Sequence, residues 1–284
     1  MPTFLFSRPA AHRQPGSAGP LFRLTAVLLA AACLLTSCRK KEWYGDLEIA
    51  FSFSYNGAKI ETLDGTRLFA MPTEDSVPSG QSVTIEEIRY FISKIYLIEE
   101  NGERVALTAT DGNGCHFVDF ALAGTRQWTI EDVPTGHYVG IGFTYGLDEA
   151  DNVSHRYPNP PESLMFWPEA LGGGYHYMQI NGKWLSAEGA AFMPYGLHTG
   201  IGQTWTDGVA TAFHQNYVRL EFPDAFSLFL TMDNRRTLTI DMDVMQWLTN
   251  PHQWDFAVQG GAIMQNQAAQ QILKENAWNV FSIH

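Results

Sequence analysis

Residues 164–202, LMFWPEALGGGYHYMQINGKWLSAEGAAFMPYGLHTGIG, gather the side chains with most chemical potential: Trp167, Tyr175, His176, Tyr177, Met178, Trp184, Met193, Tyr195 and His198. Imidazole and thioether donors suit a soft or borderline metal such as copper. The same rings suit stacking against a sugar or another planar ligand. The competing reading is a β-sandwich core with two hydrogen-bonded histidines. Strand alternation puts Tyr175, Tyr177 and Gln179 on one face and His176, Met178 and Ile180 on the other, so His176 shares a face with apolar residues. Gly172-Gly173-Gly174 lacks the helix and basic residue of a phosphate-binding loop, and reads as loop flexibility or a place where backbone comes close. There is no GxSxG, HExxH or CxxC pattern, so an enzyme is not expected. A hydrolase built on Asp151, Glu162 or Glu169 is the weakest reading, because nothing pairs these acids and acids in so acidic a chain are usually solvated surface.

The elements that must position this stretch read as strands. Leu47, Ile49, Phe51, Phe53 and Tyr55 alternate with polar or small residues, the pattern of a half-buried antiparallel strand, and Asn56-Gly57 follows as a turn. Residues 58–82 read as loop. Residues 83–98, VTIEEIRYFISKIYLI, form one bent strand or two, and Asn101-Gly102 turns into a partner at 104–107. Alternation recurs at 137–145, 217–222 and 237–244. Short helices are expected near 243–249 and at 265–275, the latter rich in good helix formers. The fold class is therefore all-β: an antiparallel β-sandwich with one or two short peripheral helices.

The 284-residue chain has 18 Lys+Arg against 30 Asp+Glu, a formal charge of −12. Such an acidic balance predicts no nucleic-acid partner, which needs a basic face. Residues 1–37 hold Arg8, Arg13, Arg23 and no acid, and LTAVLLAAACLLTSC from Leu24 is an apolar run too short for a typical membrane span. It ends in Leu35-Thr36-Ser37-Cys38, which resembles a bacterial lipobox with cleavage before Cys38 and acylation of its thiol. Loss of three arginines with that leader takes the charge to −15. Cys33 would leave too, so Cys38 and Cys115 remain, one acylated and one free, and no internal disulfide forms. Acyl chains supply membrane affinity through buried CH₂ groups, and Arg39-Lys40-Lys41 adds attraction to anionic head groups. Residue 39 is not Asp, which by lipoprotein sorting rules points to the cell envelope's outer membrane, facing the periplasm or the cell surface. The expected organisation is a lipoprotein signal peptide (1–37), an anchor linker (38–46) and one domain (47–284).

Six segments carry a resemblance: VTIEEIRYFISKIYLI (83–98), HFVDF (116–120), VPTGHYVGIGFTYGLDEADN (133–152), MFWPEALGGGYHYMQINGKW (165–184), YGLHTGIG (195–202) and MQNQAAQQILKENAWNVFSIH (264–284). Their order resembles the MbnP-like family, copper-binding proteins linked to methanobactin and copper homeostasis, many of them lipoproteins of Bacteroidota-type bacteria. The resemblance implies a β-sandwich holding copper through His and, in some members, through a Trp oxidised to kynurenine by a di-haem partner of the cytochrome c peroxidase type. Residue by residue, His198 matches the family's Phe-x-Phe-His-Leu-Gly strand, and Trp167 the first Trp of its Met-Tyr-Trp-x-Trp segment. Glu169 stands where the second Trp would be, and Phe53 where relatives often carry a first-strand His. Met165, His176, Met178 or Met193 would have to assist His198, since one imidazole holds copper poorly. Two functional expectations follow. One is a lipid-anchored exported protein that binds copper through His198, His176, Met178 and a possible kynurenine at Trp167. The other is a metal-free surface lipoprotein that binds a ligand or partner.

Overall fold

The computed structural model describes residues 43–71, 81–107, 114–186, 189 and 191–284. Cys38 and the leader expected at 1–37 lie outside the described residues. In chain order the strands are β1 (Tyr44–Tyr55), β2 (Ala58–Lys59), β3 (Phe69–Ala70), β4 (Ser82–Glu99), β5 (Arg104–Ala106), β6 (Cys115–Asp119), β7 (Gln127–Pro134) and β8 (Gly136–Tyr145). They continue with β9 (Met178–Leu185), β10 (Phe192–Thr199), β11 (Gly202–Thr206), β12 (Val209–His214), β13 (Val218–Phe222), β14 (Leu228–Leu230), β15 (Arg236–Asp243) and β16 (Phe281–Ile283). One sheet runs β16-β15-β1-β2, with β7 also on β1. A larger one runs β10-β9-β4-β8-β13, with short strands added to β4 and β8.

The fold is the expected all-β sandwich. Leu47, Ile49, Phe51 and Phe53 of β1 and Leu238, Ile240 and Met242 of β15 are buried, and their alternating neighbours face outward. Across the gap, the Tyr90 ring of β4 meets Phe51 (centroids 6.5 Å) and Phe53 (6.2 Å) nearly edge-on, so the two sheets share one aromatic core. β1 departs from the expected direction on one side: it pairs antiparallel with β7 but parallel with β15. Alternation is the same for both directions of pairing, so only the tertiary path distinguishes them.

The 83–98 run is a single strand. Its register against β9 shifts between Ile85 and Glu87, its register against β8 shifts between Ser93 and Tyr96, and Lys94 has φ 50°. These bulges bend one strand far enough to serve both neighbours. The helix expected at 265–275 is α2 (Gln267–Asn276), which follows the one-turn α1 (Phe256–Gln259); Asn266 caps α2 by accepting from the Ala269 N–H at 3.1 Å. Residues 243–249 form only a 3₁₀ turn at Gln246–Leu248, between the end of β15 and Asn250-Pro251. No helix among the described residues is long and apolar enough to cross a membrane.

Candidate functional site

The histidines meet because two loops close over the outer face of the large sheet. His198 lies on β10, opposite Gln179 of β9, which in turn is opposite Arg89 of β4. The intervening residues Thr199, Met178 and Tyr90 point between the sheets, so His198 points away from the aromatic core. The chain from β8 to β9 then brings Trp167 and His176 onto that side. Phe166 and Tyr175 form an antiparallel bridge, and the Trp167 N–H donates to the Gly174 carbonyl at 2.9 Å. Gly172, Gly173 and Gly174 all have positive φ, and a Cβ on Gly172 would stand 2.8 Å from Ile201 Cγ2. The glycine triplet is thus a close backbone approach in the left-handed region.

His176 is buried. Its backbone N–H and its Nδ1–H both donate to the Met165 carbonyl, at 2.6 and 2.9 Å. A carbonyl only accepts, so the proton is on Nδ1 and the lone pair on Nε2. That Nε2 is buried and has no hydrogen-bond partner among the described residues. The Trp167 ring stands edge-on at 4.7 Å between centroids, and the His198 ring at 5.0 Å and 85°. Burial pushes the His176 pKa from 6.5 down to about 4; the bond to Met165 opposes this weakly, and His198 adds to it.

His198 donates from Nε2 to Asn181 Oδ1 at 2.9 Å, while Asn181 Nδ2 donates to Glu87 Oε2 at 2.5 Å. The carboxylate fixes the amide's orientation and so fixes the imidazole tautomer, leaving the His198 lone pair on Nδ1. Glu87 continues to Arg89 (2.5 Å) and Arg89 to Asp119 (2.8 Å). Burial lowers the His198 pKa, and the Glu87 charge partly opposes it. Both rings are therefore neutral at pH 7, and both have one nitrogen bonded to an oxygen and the other available. A metal-ligating histidine needs that arrangement. With metal–nitrogen bonds of about 2 Å, two imidazoles on one ion have centroids about 5 Å apart, the spacing seen here.

Trp167 is buried; its indole N–H donates to the Leu171 carbonyl at 3.1 Å. Gly200 lies against its face, where a Cβ would come within 2.8 Å of Cε3, and Gln270 of α2 accepts the Gly200 N–H at 3.1 Å. Met165 joins through its carbonyl. Met178 does not: it is opposite Thr199, on the core side of the sheet, so the expected Met178–His198 pairing is corrected by register. The alternation that put His176 with Met178 fails at Tyr177, a bend whose N–H goes to the Thr199 carbonyl at 2.7 Å. Met193 is exposed at the far end of β10. Phe53 faces Tyr90 and Phe120 in the core, so a His there would not reach His198.

Glu169 is exposed, 3.7 Å from His155 Nε2, and Asp151 is paired with Arg156 at 3.2 Å and Lys94 at 3.8 Å. Among the described residues, no three His, Cys, Asp or Glu side chains converge as a metal site. Sequence reasoning missed Asn181 and Met264. Met264 and His198 line one cavity of about 440 Å³, closed at the β10 edge where the Gly196 N–H donates to the Gly261 carbonyl at 2.7 Å. The bridge between Gly196 and Ala262 was not legible from local pattern.

Fold and site together define an all-β sandwich whose outer face carries two neutral histidines beside a buried tryptophan. The chain belongs to the MbnP family, whose model matches residues 44–266. Among solved structures it is similar to MbnP from Methylosinus trichosporium, at 14% identity and a TM-score of 0.52, covering 84% of this chain and 98% of that one. At that identity the likeness is one of fold. A search of curated proteins returns no match.

Proposed function

We propose that this protein is a lipid-anchored, exported copper-binding protein of the cell envelope, with His176 and His198 as the paired ligands. The observation that carries the reading is the buried, unpartnered Nε2 of His176, desolvated and neutral, beside the His198 ring. Leaving such an acceptor unpaired costs about 1–3 kcal/mol, which an ion would recover. Met264 lines a cavity with His198, and its thioether is a donor type that favours Cu(I). Copper bound here would be held or buffered. Trp167 is the residue for conversion to kynurenine, its ring already edge-on to His176. That oxidation needs an external oxidant, for which a di-haem peroxidase-type partner is the candidate.

Titration with Cu(I) and Cu(II) tests the reading: one equivalent should bind, and His198→Ala or His176→Ala should abolish tight binding. Absence of binding in both redox states overturns it. Intact mass and peptide mapping read the kynurenine increment at Trp167. The second reading, a metal-free lipoprotein that binds another ligand, is favoured by the lack of a third converging His, Cys, Asp or Glu among the described residues. A silent copper titration together with a positive glycan or small-molecule screen would select it.

A further inference from the structure

The end of the sandwich away from the histidines carries an exposed apolar surface. Trp43 is 46% exposed, Phe229 56% and Met232 53%. All three line one groove of about 500 Å³ with His137, whose ring stacks on Phe229 at 4.1 Å and 3°. The backbone brings them together: the Thr135 N–H donates to the Trp43 carbonyl at 2.8 Å, and Leu230 pairs with Gly136 at the start of β8. Exposed apolar side chains gathered in one groove are a candidate contact surface.

Its place relative to the histidines follows from β8. The strand starts at this groove and ends at Tyr145, whose hydroxyl bonds the Thr199 hydroxyl at 2.7 Å, next to His198. Ten residues of strand span about 30 Å, so groove and histidines occupy opposite ends.

The sequence just before the described domain argues for one occupant of the groove. Cys38, the acylation candidate, precedes Trp43 by five residues, and five residues reach at most about 18 Å. Between them stand Arg39, Lys40 and Lys41, which attract anionic head groups. Trp and Tyr rings favour the headgroup layer, and Trp43 and Tyr44 are both exposed. Asp233 lines the groove, and a charged group there suits a hydrated interface rather than a protein core.

We propose that the Trp43–Phe229–Met232 surface rests on the phospholipid headgroup layer beside the Cys38 anchor and turns the His176/His198 centre away from the membrane. The proposal rests on the lipid anchor of the proposed function and not on copper. For the test, the chain from Cys38 onward is coupled at that thiol to a maleimide lipid in phosphatidylethanolamine/phosphatidylglycerol vesicles; Cys115 is buried and spared. Amide exchange at 134–136 and 229–234 should slow at least about threefold relative to the free protein, while the β11–β12 hairpin at 202–214 stays unchanged. Phe229→Ser with Met232→Ser should remove that protection. No protection, or equal protection at both ends, overturns the proposal. Concentration-dependent protection without vesicles also overturns it, giving the surface to a second copy of the chain. Natural acylation is read separately, from the mass of the Cys38 peptide, so failure of the anchor and failure of the surface are distinguishable.

Discussion

Two His–Trp pairs in this molecule have the same centroid separation and opposite character. His116 lies flat on Trp128, 4.7 Å away at 2°, with Phe51 stacked at 5.0 Å, and its Nε2 is bonded to the Thr125 carbonyl at 2.8 Å. His176 meets Trp167 at the same 4.7 Å but at 78°, and its Nε2 is left buried and unpaired beside a second imidazole. The first geometry covers the ring faces and packs β6 against β1 and β7. The second sets the rings nearly perpendicular to one another, at 78° and 85°. Residue type and proximity are therefore alike at the two places; what differs is the desolvated lone pair with the other ring nitrogen fixed, which is found at His176.

The largest expected contrast is in copper affinity. His176→Ala should weaken binding by about a thousandfold, about 4 kcal/mol, whereas His116→Ala should leave the isotherm unchanged and lower only stability. Equal losses at the two positions would end the distinction.

Next is pH. Unfolded, His176 takes up a proton near 6.5; folded, it does so near 4. Its contribution to stability is complete above pH 6.5 and is lost as pH falls to about 4, by about 3 kcal/mol in total. Urea unfolding across that window measures this, and His176→Leu should flatten the slope. A flat profile in the unsubstituted protein would contradict a buried neutral ring.

Gly200→Ala tests the support of the tryptophan. The new methyl group would press on the Trp167 face, costing about 1–3 kcal/mol of stability and weakening copper binding as the ring shifts. A neutral result in both measurements would show that Trp167 has room to move.

The smallest effect is assigned to Asn181→Ala, which frees the His198 tautomer and should weaken copper about tenfold with little change in stability. Asn181→Asp keeps an acceptor and should restore part of the affinity.

Much of the fold was legible because burial of alternate residues leaves a local record. β1, β8, β13 and β15 show it directly, and α2 announces itself through helix formers behind Asn266. The site was less legible. His198 and Trp167 stood out through family resemblance, and His176 through its residue type. Alternation then grouped His176 with Met178, because nothing local says that the strand begins only at Met178 and that Tyr177 bends. Asn181 carried no local signal either, since its role depends on Glu87, 94 positions away along the chain.

The sequence by itself determined an acidic sandwich former and a stretch dense in donors, because composition and period-2 burial are local properties. Only the tertiary structure decided which donors converge. Face and orientation are set by cross-strand register and by loop closure, so His176 turns to His198 while Met178 and Phe53 turn into the core. Among the described residues the His176 Nε2 has no partner, because the Met165 carbonyl takes the other ring nitrogen and Nε2 itself is buried.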